Sequence, residues 1–517
     1  MRLNKLLCVA SLALVLLASC EKDKPISGID INKDTSLSGS VTWDDGTPAA
    51  GVTVTDGYTC TQTDASGKYS MERNLSSYYV YYSIPANAKV NMSGKGLPLF
   101  YQRITNGKSV YDFTLTRQEV EKKVRILGMG DPQVAKDAQV KRFNNETAVD
   151  IARFVKEHDS SYATYAMTLG DIVSNVWDLF PDMVQALSAS NMSVTVFNTI
   201  GNHDHEFPQS ATTQEKRDLA AQRKYETYFG PVNYSFNRGD LHIVSLDDIM
   251  HEATASTDYT VGLYDWQIEW LRQDLSYVPK DKCVVVCYHG PLKTADVGMK
   301  NRDALVKMLA EYSGALMMAG HTHNVRYYLN TDVSPVIHEY VVGTTCGAWW
   351  HGTTCNDGAP NGYGVFEFDG PKLVNQFYKS THFPDDYQMR LYHAQEVFYQ
   401  SGTTGYDFKK KGSYDVVANI WNIDPDWKVE VYEDGVFSGT PKLLTDRDAW
   451  TTAHFYNAER VTSTSYGNSY AHHHFYKLKN KDAKEVKYVA TDKWGHVYEQ
   501  SIFTTDKDRS DKYYNNY

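Results

Sequence analysis

Val124-Arg-Ile-Leu-Gly-Met-Gly-Asp131-Pro-Gln133 carries an apolar run straight into a carboxylate and an amide. The pattern recurs four times downstream. Gly170-Asp171, Gly201-Asn202-His203-Asp204, His289 and Gly320-His321-Thr322-His323 each end a run of apolar residues. Runs of this kind are strands buried on both faces of a parallel sheet, and residues just past their carboxyl ends meet in one crevice. That crevice collects carboxylates, an amide and several imidazoles, a set that suits a pair of divalent metals. The expected chemistry is metal-assisted hydrolysis of a phosphoester.

Outward from these blocks, helical periodicity covers Ala148 to Val155, Leu179 to Leu187, Arg217 to Phe229, Trp266 to Leu275 and Asp303 to Tyr312. Strands therefore alternate with helices, interrupted by a hairpin around Asn237-Arg-Gly-Asp240. Residues 124–380 form this α/β unit. Before it, residues 36–118 read as short strands between turn signals such as Asp44-Asp-Gly-Thr-Pro48 and Asp56-Gly57, a small β-sandwich with no cluster of reactive side chains. Its expected role is that of a spacer or orienting module. After the α/β unit, residues 385–517 return to β, with strand candidates Tyr387 to Tyr392, Asp415 to Ile420, Trp427 to Tyr432 and Glu485 to Ala490.

The length of 517 residues asks for two or three domains. A formal net charge of -11 excludes a generic nucleic-acid binder, which would present a basic face, but not an anionic substrate held by metal ions. Residues 1–20 pair a basic start, Arg2 and Lys5, with the apolar stretch Leu6 to Leu17, too short for an ordinary spanning helix. Leu17-Ala18-Ser19-Cys20 resembles a bacterial lipobox, which implies cleavage before Cys20 and lipidation of its sulfur. Residues 21–35 would be a polar tether, and Glu21 after the cysteine favours an outer-membrane lipoprotein held in the cell envelope by its lipid alone. In such an oxidising compartment Cys346 and Cys355, which flank a Gly-rich loop, are the best candidates for a disulfide. Cys283 and Cys287 read as core thiols.

A two-metal hydrolase needs a bridging carboxylate and terminal ligands that fix the ions about 3.5–4 Å apart. Asp171 is the expected bridge. Asp131 gives a hard oxygen to the first ion, and Asn202, His289 and His321 serve the second. His323, two residues past His321, turns back to the first.

The five ordered blocks resemble the calcineurin-like metallophosphoesterase superfamily over about residues 124–330, and the flanking modules are similar to those of its secreted multi-domain members. The resemblance implies a four-layer α/β/β/α sandwich, flanked by an amino-terminal immunoglobulin-like β-sandwich and a carboxyl-terminal β-rich domain. It also implies phosphoester hydrolysis by a metal-bridging hydroxide, with His203 as acid for the leaving group and Asp204 beside it to orient the imidazole. One position departs: the family usually has His where this chain has Gln133. The first ion would then be held by Asp131, Gln133, Asp171 and His323. That oxygen-rich set favours Mn²⁺, with Mg²⁺, Fe²⁺ or Zn²⁺ as further candidates. Purple acid phosphatases carry Tyr three residues past the bridging Asp; here it is Ser174, so no iron–tyrosinate centre is expected.

Two other readings compete. Gln133 points to a phosphodiesterase or pyrophosphatase for nucleotide-type substrates. A non-catalytic surface-binding lipoprotein is the reading from another class, opposed by the completeness of the ligand set. The expected partner is a small-molecule, glycan or lipid phosphoester. Elsewhere, His205 is expected to pack or, less readily, to reach phosphate, and His472-His-His474 to be solvated or hydrogen-bonded. Trp349-Trp350 is expected either to grip a leaving group or to pack against the carboxyl-terminal domain.

Overall fold

The computed structural model describes residues 36–207, 213–251, 259–293, 299–394, 414–451 and 470–505. The signal stretch, the tether, Cys20 and the side chain of His472 lie outside the described residues. Two sheets form the central unit. The first runs in the order Thr195–Thr199, Tyr162–Leu169, Lys123–Met129, Gly362–Asp369, Lys372–Ser380. Its first three strands are parallel, and Gly362–Asp369 pairs antiparallel with Lys123–Met129. The second runs Tyr234–Arg238, Leu241–Ser245, Cys283–Cys287, Gly314–Ala319, Ile337–Val341, Arg326–Asn330, parallel across its middle four strands. The Asn237–Asp240 turn joins the antiparallel pair at one edge, as the sequence anticipates.

Because the apolar runs do not alternate, both faces of each strand must be covered. The inner faces meet each other: Ile126, Leu169, Phe197, Ile243, Val285 and Met318 share one core. The outer face of the first sheet is sealed by Ile151 and Phe154 of helix Val149–Glu157, Phe180 and Met183 of Phe180–Ala186, and Tyr225 of Gln214–Phe229. The outer face of the second takes Trp270 and Leu271 of Asp265–Ser276 and Leu305 and Leu309 of Arg302–Leu309. The result is a four-layer α/β/β/α sandwich.

The amino-terminal module consists of a three-stranded and a four-stranded sheet. It packs against the α/β unit: Val54, Tyr81, Tyr82 and Ile84 lie in the same core as the two central sheets. Tyr79 and Tyr81 donate their hydroxyls to the carbonyls of Glu226 (2.7 Å) and Asn233 (2.5 Å), and Trp270 Nε1 donates to Thr55 Oγ1 at 3.0 Å. The carboxyl-terminal module has two four-stranded sheets packed through Leu391, Val416, Val431 and Tyr488. Among the described residues no helix is long and apolar enough to cross a membrane.

The expected Cys346–Cys355 disulfide is absent: both are free thiols. The loop between them folds so that they enter different cores. Cys346 packs with Trp350 and Tyr363 and sits 3.8 Å from His323 Nδ1, whereas Cys355 packs with Tyr378 and Tyr387. Cys283 and Cys287 are buried on their strand, and Cys60 lies against the Trp270 carbonyl.

Candidate metal centre

Five of the parallel strands release a ligand within three residues of their carboxyl ends: Asp131 after Met129, Asp171 after Leu169, Asn202 after Thr199, His289 after Cys287 and His321 after Ala319. The chain must turn sharply there. Asp131, Gln133, Asp171, His321 and His323 all hold positive φ, between 38° and 70°. A side-chain-bearing residue in that region costs on the order of 1–3 kcal/mol and persists only where the surroundings impose it, commonly at functional sites. Close approach also demands glycine at position 201. A Cβ on Gly201 would lie 2.3 Å from the Asp171 nitrogen and 2.4 Å from its Oδ1.

The candidates fall into two adjoining groups. In one, His289 Nδ1 donates to the Leu169 carbonyl at 2.7 Å, which fixes the ring and turns Nε2 inward. Around that Nε2 stand Asn202 Oδ1 at 3.0 Å, Asp171 Oδ2 at 3.2 Å and His321 Nδ1 at 3.0 Å. The donor atoms of Asp171, His289 and His321 all lie within 4.8 Å of one another. These ligand atoms converge on one point, so the residues fit a bound divalent ion, which would take the place of the proton His289 otherwise carries. In the other group, His323 Nδ1 donates to the Gly347 carbonyl at 3.0 Å and its Nε2 faces Asp131 Oδ1 at 3.5 Å. Gln133 points inward too. Its Nε2 donates to Asp171 Oδ2 at 3.1 Å, and its buried Oε1 has no partner.

Charge follows the same geometry. Burial disfavours the imidazolium of His289, yet Asp171 and Asp131 raise its pKa to about 10. Burial would raise Asp171, but His289 and His203 hold it below the usual carboxylate range. Burial and His289 lower His321 to about 4.

Asp204 departs from expectation. Its carboxylate does not meet the His203 ring, whose Nδ1 is unpartnered. It accepts three backbone N–H groups instead, from Gly201 (2.9 Å), Ile172 (3.0 Å) and Val173 (3.0 Å). Two strand-end loops are thus clamped together by one side chain. Burial and neighbouring Asp171 raise it to about 7. His203 lies half-buried at the rim, and its own backbone N–H holds Asp171 Oδ1 at 2.8 Å.

Asp248 and Tyr259, which support the site, have no motif in the sequence, whereas Trp349 stands out there. Asp248 accepts the backbone N–H groups of His289 (3.0 Å) and Gly290 (2.9 Å), fixing the His289 loop. Tyr259 brings its hydroxyl to 3.4 Å from His321 Nε2. Trp349 stacks on the His323 ring at 4.3 Å, so it walls the crevice. Trp350 instead is buried, donating Nε1 to the Pro132 carbonyl at 2.9 Å beneath the Arg142 guanidinium. His473 and His474 are buried, not solvated.

Three family models match consecutive parts of the chain: the amino-terminal domain of calcineurin-like phosphoesterase at residues 35–118, calcineurin-like phosphoesterase at 124–325, and its carboxyl-terminal domain at 339–498. No curated protein matches. Among solved structures, TT1561 of Thermus thermophilus is 9% identical over 50% of this chain and 99% of its own, at a TM-score of 0.29. The 5′-nucleotidase of Candida albicans is 10% identical over 50% of this chain and 51% of its own, at a TM-score of 0.32. The chain belongs to the calcineurin-like phosphoesterase family of metal-dependent phosphoester hydrolases.

Proposed function

We propose that this protein hydrolyses small-molecule, glycan or lipid phosphoesters with two divalent ions, manganese favoured. Asp131, Gln133, Asp171 and His323 would hold the first ion, and Asp171, Asn202, His289 and His321 the second. The observation that carries this reading is the ring of ligand atoms about His289 Nε2, three within 3.2 Å. When bound, the ions offset charge on the phosphoryl group and lower the pKa of a bound water toward neutrality.

The chain's own residues do the rest. Leu169, Asp248 and Gly347 orient the imidazoles through backbone contacts. That spares the site from reorganising during the reaction. His203, half-buried at the rim with Nδ1 uncommitted, donates a proton to the departing oxygen. Trp349 and Tyr259 bound the crevice mouth on opposite histidines. The Leu17–Cys20 lipobox supports a lipid-tethered enzyme at the outer membrane.

Chelator-stripped protein given Mn²⁺, Mg²⁺, Fe²⁺ or Zn²⁺ and assayed on p-nitrophenyl phosphate and its bis-ester tests the reading. Recovery with manganese at least equal to that with zinc is expected; activity with zinc alone would contradict the oxygen-rich first site. Gln133 favours one second reading, a diester or pyrophosphate of nucleotide type, and a strong preference for the bis-ester would select it.

A further inference from the structure

Behind the Gly201–Asp204 loop lies a second, separate set of metal-ligating side chains. His205, Asp218 and His251 present donor atoms all within 4.8 Å of one another. Asp247 Oδ2 stands 3.1 Å from His205 Nε2, and Asp218 Oδ1 is 3.9 Å from the same nitrogen. None of the four is more than 4% exposed. His205 Nδ1 donates to the Gly201 carbonyl at 2.8 Å, so Nε2 is the atom turned into the cluster.

Hydrogen bonding accounts for only part of this cluster: Asp247 Oδ2 also accepts from Gln222 Nε2 at 2.6 Å, and its Oδ1 accepts the Ile249 N–H at 3.0 Å. Both ring nitrogens of His251 and Oδ1 of Asp218 are buried without a partner. A buried polar group left unpaired costs roughly 1–3 kcal/mol. Two carboxylates also face each other across His205. Burial and then Asp247 raise Asp218 well above its ordinary range. A proton on His205 relieves part of that repulsion but leaves His251 with nothing to bind. A cation supplies the partner that His251 and Asp218 Oδ1 lack.

We propose that this protein holds a third ion, zinc, between His205, Asp218, Asp247 and His251. Two imidazoles and two carboxylates are a donor set zinc accepts, and four protein ligands make a closed, structural site. Tetrahedral coordination sets donor atoms roughly 3.3 Å apart, close to the 3.1 Å between His205 Nε2 and Asp247 Oδ2, so binding draws Asp218 and His251 inward toward that pair. The ion ties three elements: the loop bearing Asn202 and His203, helix Gln214–Phe229 through Asp218, and strand Ile249–His251. That strand pairs with Tyr259–Val261, whose Tyr259 reaches His321. The zinc therefore positions one wall of the metal crevice without entering it.

Crystals of the full chain soaked in zinc, measured at the zinc absorption edge, test this directly. An anomalous peak between His205 and His251 is expected; its absence would overturn the proposal, whatever density appears at Asp171. Metal counting after chelation and zinc reloading is the second measurement. His251→Asn should hold one zinc fewer per chain than wild type, whereas Asp171→Asn should lose ions from the other site and keep this one. A wild-type zinc count in folded His251→Asn would equally overturn it.

Discussion

At the scale of single residues, tautomers decide the site. His289 and His323 each donate Nδ1–H to a main-chain carbonyl, and that bond turns Nε2 toward the carboxylates. His203 has no such anchor, consistent with a group that moves a proton rather than holding an ion. His203→Gln is expected to keep its metal content and lose about 10²–10⁴-fold in turnover. Full activity by steady-state kinetics would remove it from the chemistry. Glu339 makes a different prediction. It is buried in strand Ile337–Val341, accepts the Tyr288 hydroxyl (2.8 Å) and the Leu292 N–H (2.7 Å) on Oε1, and leaves Oε2 unpartnered. Burial raises its pKa from 4.5 to about 7. Between those values the folded chain binds more protons than the unfolded one, so stability falls as pH rises through that window. The shift corresponds to on the order of 3 kcal/mol. Glu339→Gln should remove that slope, and urea midpoints for wild type and variant at pH 5 and pH 8 would show it.

Strands and loops form the next scale, and here the sequence was most legible. Unbroken apolar runs such as Cys283-Val-Val-Val-Cys287 have one stable solution, a strand covered on both faces. Their ends could be placed because a polar residue cannot follow the run into the core. What the loops do with their side chains was less legible. Asp204 follows His203 in sequence, yet its oxygens reach backward to the amides of Gly201, Ile172 and Val173. Adjacency along a turn says little about direction. Asp204→Ala would leave three buried N–H groups unpaired, at roughly 1–3 kcal/mol each. The expected outcome is a lower Tm together with weakened metal binding, since Asp171 sits in the same clamp; calorimetry and metal titration measure both. Asp204→Asn, which keeps one acceptor oxygen, should recover part of each. An alanine variant with wild-type metal affinity would show that the clamp is not what positions Asp171.

The whole molecule is where modules read as separate in sequence turn out to share structure. Trp270 from the central unit is fully buried and bonded to Thr55 of the amino-terminal module. Trp270→Ala should cost about 3–5 kcal/mol and lower one joint calorimetric transition of both units. Two transitions, with the amino-terminal one unmoved, would show that the cores are independent. On the other side, Arg326–Asn330 and the carboxyl-terminal module enclose a cavity of about 840 Å³ lined by Tyr327, Tyr328, Trp421 and Asp424. The sequence by itself determined the order of the strands along the chain and the polar residues that end them, brought together in one crevice. Those are local facts, because apolar runs and the polar residues that end them are written contiguously. Only the tertiary structure decided which way Asp204 turns, that Cys346 and Cys355 stay apart, and that His205, Asp218, Asp247 and His251 meet. Each depends on packing between segments distant in the chain, where distance in space is set by the cores and not by spacing in sequence.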